Sequence, residues 1–325
     1  MPEPSPIPGP EEPDAPPAPS AATRAVWSPF SGVPIVQAPG RMHRRELSDD
    51  CPFCADVAAG RVPPGHATWT RPNDFPALTP PTGECHILIY SRDHHRTFAD
   101  LNLAEAVAVV ALWQRVYQRL APRYACVMTW ETFGEAIGQT QRHPHGQTYG
   151  VSFLPDILAR ELAALTEAAA RGEPCLFCQE LRTERGGPRA ILESAHWLGF
   201  IPPYARYPYQ VHLSPRTHLP HIGAIPARAR EELAVALLGV LRAYNQLFQA
   251  PMPYMLVLHQ LADPRFHFHI ELLPVGRAPG KLKLAASGEM GFGLWVNDSA
   301  PEVKAAELRA LLPPELARPA HAPER

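Results

Sequence analysis

Two sets of four metal-binding residue types recur in this chain at one constant spacing. The first set consists of Cys51, Cys54, His94 and His143. Each member has a counterpart 124 positions later, which gives Cys175, Cys178, His218 and His267. Chance does not repeat four such residues at one offset, so the pattern predicts a duplicated unit. Two cysteines with two histidines are typical ligands of tetrahedral zinc, which indicates about two zinc ions per chain.

Length and charge exclude several classes of protein. A chain of 325 residues is long enough for two medium-sized domains with real cores. The formal net charge of −2 gives no basic surface for a nucleic-acid partner. No apolar run reaches the roughly 18 residues of a membrane span. The N-terminal sequence lacks a basic start followed by an apolar stretch, so we expect no signal peptide and a cytoplasmic location.

Proline content divides the chain into tails and domains. The chain has 40 prolines, and many of them lie near the two ends. Such segments bury too little apolar surface to offset ordering entropy, which predicts disordered tails at residues 1–26 and 313–325. Between the tails we expect an N-terminal domain over residues 27–165 and a C-terminal domain over residues 166–312.

Secondary-structure patterns repeat in the two halves. The predicted elements of the first half are a strand at 86–90, a helix at 102–120 and a strand at 124–130. Those of the second half are a strand at 210–213, a helix at 227–248, a strand at 254–259 and a last strand at 266–271. A helix at 156–171 bridges the halves. Strands combined with one long helix in each half predict an α+β fold.

The segment His143-Pro-His-Gly-Gln147 follows the last ligand of the first set. In a strand, His143 and His145 would project from the same face, so one can bind metal while the other faces a substrate. A neutral imidazole is a competent nucleophile toward phosphorus. Gly146 would let a phosphate approach the backbone, and Gln147 offers an uncharged donor to a phosphoryl oxygen. The alternative is a turn with two surface histidines, but here the motif ends a duplicated metal pattern.

This motif resembles the active site of galactose-1-phosphate uridylyltransferases, a branch of the histidine-triad superfamily. Shorter matches include Trp27-Ser-Pro-Phe-Ser-Gly32, Asn73-Asp-Phe75, Phe153-Leu-Pro155 and His267-Phe-His269. The resemblance implies two tandem histidine-triad-like domains and a ping-pong reaction. In that reaction UMP passes from UDP-glucose to an enzyme histidine and then to galactose 1-phosphate. It also implies a homodimer whose active sites borrow residues across the interface.

The resemblance assigns roles position by position. His145 matches the nucleophile, and Gln147 matches the glutamine that contacts the transferred phosphoryl group. Cys51, Cys54, His94 and His143 match zinc ligands. The expected contacts to nucleotide, phosphate and sugar, besides Gln147, are Arg41, Arg44, Asn73, Asp74, Thr132, Gly138, Gln139, Thr140, Lys283 and Glu289.

Three departures from the family pattern keep other functions open. The chain has Glu131-Thr132 where the family often has Glu-Asn, and Gln139-Thr140 where many members have Cys-Ser. It has Gly288-Glu289 where the sugar segment usually has Tyr-Glu. One alternative is therefore a nucleoside-diphosphate-sugar phosphorylase similar to ADP-glucose phosphorylase. Another is a zinc-stapled nucleotide-binding module without turnover, although an intact His145 argues against it.

The second metal site has two candidate ligand sets. Some family members bind a metal, which can be iron, through a glutamate and three histidines that match Glu161, His259, His267 and His269. Both sets require His267. The intact second Cys-x-x-Cys favours Cys175, Cys178, His218 and His267. In that case Glu161 is expected to be a solvated charge, and His259 and His269 to be polar groups at the domain interface.

Overall fold

The computed structural model describes residues 23–43, 50–62, 64–65, 67–314 and 316, which form thirteen strands and seven α-helices. The strands are β1 Arg24–Trp27, β2 Pro34–Gln37, β3 Trp69–Pro72, β4 Gly83–Ile89, β5 Cys126–Phe133, β6 His145–Val151, β7 Ala190–Glu193, β8 Trp197–Phe200, β9 Val211–Pro215, β10 Tyr254–His259, β11 His269–Pro274, β12 Gly276–Ala278 and β13 Lys281–Leu282. The helices are α1 Pro52–Ala58, α2 Leu103–Leu120, α3 Asp156–Ala170, α4 Leu176–Glu184, α5 Ala227–Phe248, α6 Ser287–Phe292 and α7 Pro301–Arg309.

Nine strands form one antiparallel sheet in the order β3-β4-β6-β5-β10-β11-β9-β8-β7. The central pair is β5 with β10, in which Phe133 faces Tyr254 and Thr129 faces Leu258. Reading outward from this pair, one side runs β5-β6-β4-β3 and the other runs β10-β11-β9-β8. The two sides therefore place strands of corresponding chain position in the same order. The predicted α+β class with antiparallel strands is confirmed.

The two long helices cover one face of this sheet. Asn102 caps α2, since its side chain accepts a hydrogen bond from the Glu105 amide at 3.0 Å, and Glu105 accepts one from the Asn102 amide at 2.7 Å. Apolar residues at helical spacing, including Val109 and Trp113, are fully buried between α2, α5 and the sheet. α2 in the first half and α5 in the second half pack against each other, so the halves share one core.

The other face of the sheet carries the motif described above. Side chains alternate along a strand, so His145, Gln147, Tyr149 and Val151 of β6 point to the face opposite α2 and α5. Tyr149 and Val151 pack there with apolar residues of α3. Polar residues are left at the start of β6, where α3 does not reach.

Four sequence-based boundaries need correction. β1 begins at Arg24, inside the predicted N-terminal tail, because residues 24–27 pair with β2 and the Thr23 side chain bonds to Thr79. Leu316, inside the predicted C-terminal tail, is buried and packs with the core around α5. The other residues of the N-terminal tail, 1–22, lie outside the described residues. β4 and β11 are also displaced by about three residues from the predicted strands 86–90 and 266–271.

The bridging helix and the two long helices lie where the periodicity predicts them. Several elements of the second half have no predicted counterpart, among them β7, β8, β12, β13, α6 and α7. Among the helices of the described residues, none combines the length and apolar character needed to cross a membrane.

Candidate active site and metal centres

The first cysteine–histidine set comes together as one compact cluster. The ligand atoms of Cys51, Cys54, His94 and His143 all lie within 4.8 Å of one another. The Nδ1 atom of His143 is 3.6 Å from Cys51 Sγ and 3.5 Å from Cys54 Sγ. Zinc bonds of ordinary length in a tetrahedron place sulfur and nitrogen ligands about 3.6 Å apart. The donor set therefore has the spacing that a tetrahedral zinc ion requires.

The second set forms an equivalent cluster. Cys175, Cys178, His218 and His267 also have ligand atoms within 4.8 Å of one another. Cys178 Sγ lies 3.5 Å from His218 Nδ1 and 3.4 Å from His267 Nδ1. Cys51 and Cys175 directly precede α1 and α4, so each cysteine pair lies on the first turn of a short helix.

Backbone carbonyls fix the imidazoles of both clusters. Nε2–H of His143 donates to the Ser91 carbonyl at 2.7 Å, and Nε2–H of His267 donates to the Pro215 carbonyl at 2.9 Å. This leaves Nδ1 of each ring as a lone-pair donor toward the cysteines. Metal-binding histidines commonly have such an outer hydrogen bond, because it sets the tautomer and the ring orientation.

Burial disfavours the thiolate form of one cysteine in each cluster. Burial, together with adjacent Cys51, raises the pKa of Cys54 to about 11. Burial and Cys175 likewise raise the pKa of Cys178 to about 11. Burial lowers the pKa of His267 to about 4, so its ring is neutral near pH 7. Thiols of this kind become thiolates when a metal ion binds them, and the neutral imidazoles are ready to act as ligands.

A third cluster corrects part of the sequence interpretation. Glu161, His259 and His269 also bring ligand-type atoms within 4.8 Å. Glu161 Oε1 is 2.9 Å from His259 Nδ1 and 3.9 Å from His269 Nε2. The expectation that Glu161 is a solvated charge is therefore wrong. His267 turns its Nδ1 to Cys178 instead, so the two candidate sets do not compete for it in this structure.

The histidine at the start of β6 is oriented for chemistry. His145 Nδ1–H donates to the carbonyl of His143 at 2.8 Å. With Nδ1 as the donor in this bond, the ring keeps a lone pair on Nε2. The same residue, His143, therefore contributes a ring to the first cysteine cluster and a carbonyl to His145. The two functions of the His-x-His motif are joined through two residues of backbone.

Two cavities meet at this histidine. The larger, of about 590 Å³, lies against α1 and β3, and the smaller, of about 240 Å³, lies over β5 and the loop before β6. The residues that line both cavities are Thr140, His145 and Gln147. A group bound at the shared wall would contact His145 and extend in two directions.

The predicted substrate contacts divide between the cavities. Asn73 and Asp74 line the larger cavity. The other predicted contacts that line the smaller cavity are Arg41, Thr132, Gly138 and Gln139. Gly138 has φ of 88°, a left-handed conformation that favours glycine at this turn. Arg44 lies outside the described residues.

Two predicted sugar contacts are not near these cavities within the chain. Lys283 is buried, and its ammonium group donates to the carbonyls of Arg206 and Val296. The Glu289 carboxylate accepts a hydrogen bond from the Ala286 amide at 3.1 Å, at the start of α6. Neither residue lines a cavity that contains His145.

Gly146 lines the smaller cavity and also has a packing role that the sequence did not predict. A Cβ at this position would collide with the Tyr90 hydroxyl and the Trp130 carbonyl. Its missing side chain would point to the helix-covered face, away from His145. Glycine is required here for packing of β6 on Tyr90.

Sequence reasoning missed several cavity residues. Phe53 lines the larger cavity, and its ring centroid is 5.3 Å from that of His145. Arg71 lines the same cavity, and Trp130 lines the smaller one. The available signal for Arg71 was its position two residues before Asn73, but its orientation depends on strand register.

The corresponding positions of the second half are enclosed. His269 takes the place of His145 in sequence, and Glu271 takes the place of Gln147, 124 positions on. Both are buried. Glu271 pairs with Arg206 and lies 3.3 Å from His212 Nε2. The second half thus holds an ionic network where the first half has cavities.

Comparison with known proteins agrees with this geometry. The family described as galactose-1-phosphate uridyl transferase matches with its N-terminal domain over residues 66–155 and its C-terminal domain over residues 170–312. A galactose-1-phosphate uridylyltransferase of Thermotoga maritima is 29% identical over 285 residues, covering 80% of this chain and 89% of the relative.

Solved structures share the fold. One uridylyltransferase structure has a TM-score of 0.81 at 27% identity, covering 88% of this chain and 97% of its own. An ADP-glucose phosphorylase from Arabidopsis thaliana, solved with ADP-glucose, has a TM-score of 0.71 at 19% identity. The match covers 89% of this chain and 98% of that one, and at this identity it establishes a common fold only.

Proposed function

Since the chain belongs to the galactose-1-phosphate uridylyltransferase family, we propose that it moves UMP from UDP-glucose to galactose 1-phosphate through a uridylyl-His145 intermediate. The observation that carries this proposal is the position of His145. Its Nδ1–H is bonded to the His143 carbonyl, and the residue lies where two cavities meet. A nucleotidyl donor has two parts to accommodate, and the shared wall is where the phosphorus between them would lie.

The first half-reaction uses the lone pair on His145 Nε2. This nitrogen attacks the α-phosphorus of UDP-glucose, a nitrogen–phosphorus bond forms, and the bond to the oxygen of glucose 1-phosphate breaks. Glucose 1-phosphate leaves as an anion and takes no proton. The positive charge that develops on the ring is stabilised because Nδ1–H keeps its bond to the His143 carbonyl. Galactose 1-phosphate then attacks the same phosphorus and releases the histidine.

Gln147 is suited to the phosphoryl oxygens. The Tyr149 hydroxyl donates to Gln147 Oε1 at 3.1 Å, which turns the amide nitrogen of Gln147 into the free donor end of the side chain. Gln147 lies two residues after His145 on the same face of β6. A neutral donor beside the reacting phosphorus stabilises the charge that builds on its oxygens without adding repulsion.

The cavities suggest how substrate is divided. We assign the nucleoside to the larger cavity, with Asn73 and Asp74, and the phosphate and sugar to the smaller one. The residues assigned to the smaller cavity are Arg41, Thr132, Gly138, Gln139 and Thr140, and Arg44 is assigned to the nucleotide by family resemblance alone.

Zinc is the metal that the two cysteine clusters fit best, and we propose one ion in each. When bound, zinc supplies a fixed tetrahedral link between the cysteine pair and its two histidines. In the first half, Cys51, Cys54, His94 and His143 would hold it, so the metal would fix the backbone that positions His145. In the second half the ligands would be Cys175, Cys178, His218 and His267. The alternative set of Glu161, His259, His267 and His269, with zinc or iron, is less favoured because His267 faces Cys178.

The two halves are proposed to be copies of one histidine-triad-like unit, over residues 27–165 and 166–312. The matching strand order and the 124-residue offset support this. All six cysteines are free thiols, and four of them lie in the metal clusters, which suits a reducing cytoplasm.

A homodimer completes the proposal. Exposed apolar side chains follow one another in the segment that contains β13 and α6, among them Leu284, Met290 and Phe292. Soluble proteins rarely leave such a stretch uncovered, so it suits an interface. Lys283 and Glu289 lie in this segment. We infer that they reach a substrate only in the partner subunit.

Radiolabelled donor tests this function. UDP-glucose labelled at the α-phosphorus should leave acid-labile label on the protein and release glucose 1-phosphate without an acceptor. Added galactose 1-phosphate should then remove the label as UDP-galactose. Release by inorganic phosphate in preference to galactose 1-phosphate would instead identify a phosphorylase. Absence of label with any donor would leave only nucleotide binding.

A further inference from the structure

Arg71 lies on the same row of the sheet as Gln147. It pairs across β3 and β4 with Ile87, and Ile87 pairs across β4 and β6 with Gln147. Residues paired in this way point to the same face of the sheet. Two strand spacings separate Arg71 from Gln147, which is about 10 Å between Cα atoms. Both side chains line the larger cavity, with Ile87 as the floor between them.

The guanidinium of Arg71 is held in place by two carboxylates. Its Nη2 donates to Asp74 Oδ1 at 2.6 Å, and its Nη1 lies 3.3 Å from Asp56 Oδ2. These contacts engage two of the five N–H donors of the group. The side chain keeps about a fifth of its surface exposed to the cavity. A rigid, partly exposed guanidinium loses little freedom when it binds a ligand.

Phe53 lies near both groups along the cavity. Its ring centroid is 5.3 Å from that of His145 and 6.0 Å from the Arg71 guanidinium. Pro52, Phe53, Phe75 and Ile87 give this part of the cavity apolar walls. Flat aromatic walls suit the faces of a nucleobase. A nucleotide with its phosphorus at His145 would place the edge of its base farthest from the ribose against Arg71 and Asp74.

We propose that Arg71 determines base specificity by donating to the carbonyl oxygen at position 4 of uracil, with Asp74 accepting from the N3–H. This inference rests on the proposed function and names what the larger cavity selects. Cytosine carries an amino group in place of that oxygen and a lone pair at N3, so both contacts would be mismatched. Arg71 is a specificity-determining residue in this account and takes no part in the transfer of the phosphoryl group.

The test compares two donors in one protein. Glucose 1-phosphate release is measured with UDP-glucose and with CDP-glucose, and kcat/KM for the two donors is expressed as a ratio. In Arg71→Leu we expect the ratio to fall by about tenfold to hundredfold, the usual value of a lost base contact. Most of the change should appear in KM for UDP-glucose. Arg71→Lys should retain part of the preference, since its ammonium group is still a cationic donor.

Arg61→Met is the matched control. Arg61 also pairs with Asp56, at 2.7 Å, but it is well exposed and is not among the residues that line the cavity. Loss of Arg61 should leave the ratio unchanged. A ratio in Arg71→Leu within about twofold of the wild type overturns the inference, as does a wild-type preference for CDP-glucose. If Arg71→Leu does not fold, Arg71→Lys replaces it, and a ratio equal to that of the wild type then overturns the inference. A wild type that releases glucose 1-phosphate from neither donor would count against the proposed function itself.

Discussion

The two halves of this molecule hold the same kind of cysteine cluster but different surroundings at the next histidine on the strand. His145 opens onto two cavities, and an amide, Gln147, lies two residues later. His269 is buried, and a carboxylate, Glu271, lies two residues later and pairs with Arg206. The same backbone arrangement occurs in both, because Nδ1 of each histidine bonds to the carbonyl two residues earlier, at 2.8 Å and 3.1 Å. The cluster and the strand therefore do not by themselves make a reactive site.

Charge and burial explain why the surroundings of His269 differ from those of His145. Burial alone would raise the pKa of Glu271, but the hydrogen bond from His212 and the charges nearby hold that pKa well below its usual range. Burial lowers the pKa of His269 well below its usual value. The carboxylate thus stays ionised and is fully satisfied within the protein. A phosphate would meet a negative charge and no open space there, whereas at Gln147 it meets a neutral donor.

Removal of each histidine gives the largest expected contrast. His145→Ala should lower both half-reactions by about 10⁴-fold or more, because the nucleophile is lost. His269→Gln should leave label transfer per folded protein within about tenfold of the wild type. The measurements are the amount of acid-labile label retained on the protein and the steady-state rate of turnover.

Imidazole rescue distinguishes a missing nucleophile from a distorted site. His145→Gly should regain turnover when free imidazole is added, and His145→Ala should not regain it to the same extent. Near-normal turnover in His145→Ala, with intersecting rather than parallel initial-rate lines, would show that transfer is direct.

Exchange of Gln147, two residues after His145, has the next largest expected effect. Gln147→Glu gives the first half the His-x-Glu pattern of the second half. We expect turnover to fall by about 10²- to 10³-fold, since a carboxylate repels the phosphoryl oxygens that the amide stabilises. Gln147→Asn, which keeps an amide, is the control. Equal activity in Gln147→Glu and the wild type would remove the electrostatic explanation of the comparison.

Loss of one ligand in each cluster separates structure from catalysis. Cys51→Ser and Cys175→Ser should each lose about one zinc equivalent by elemental analysis and lower the free energy of unfolding by several kcal/mol. Only Cys51→Ser should also misplace the His143 carbonyl, so turnover per folded protein should fall further in that variant. A wild type that folds well without bound metal would contradict both expectations, and equal turnover in the two variants would contradict the second.

The pair that joins the halves gives a pH-dependent effect on stability. Glu131 of β5 accepts a hydrogen bond from the Tyr254 hydroxyl of β10 at 2.8 Å, and burial raises the pKa of Glu131 to about 8. The unfolded carboxyl ionises near 4.5, so between these values the folded state holds a proton that the unfolded state has lost. Stability should therefore be fully present below about pH 4.5 and fall as pH rises toward 8, by up to about 1.4 kcal/mol per pH unit.

Glu131→Gln removes this titration. Denaturant unfolding at several pH values should show a flatter dependence in the variant than in the wild type. Tyr254→Phe, which keeps the carboxyl but removes its donor, should retain the slope. Identical slopes in Glu131→Gln and the wild type would show that Glu131 is ionised when folded.

Repeated spacing made the eight cysteine and histidine positions predictable, because the constant offset is read from the sequence without knowledge of loop conformation. Helical period located α2 and α5. The environment of Glu161 was not predictable, because it depends on α3 lying against the end of β10. Arg71 was missed for a similar reason, as its place beside Ile87 and Gln147 follows from register between three strands. Lys283 and Glu289 were assigned by resemblance, and the fold of a single chain leaves them away from His145.

The shared wall between the two cavities has a stereochemical consequence on the proposed mechanism. Departing and arriving sugar phosphates must both lie opposite His145 Nε2, because in-line displacement puts the entering and leaving atoms on opposite sides of phosphorus. Both sugars therefore use one subsite, and each step inverts the configuration at phosphorus. Two inversions restore the starting configuration, so a donor made chiral with sulfur at the α-phosphorus would give a product of the same handedness.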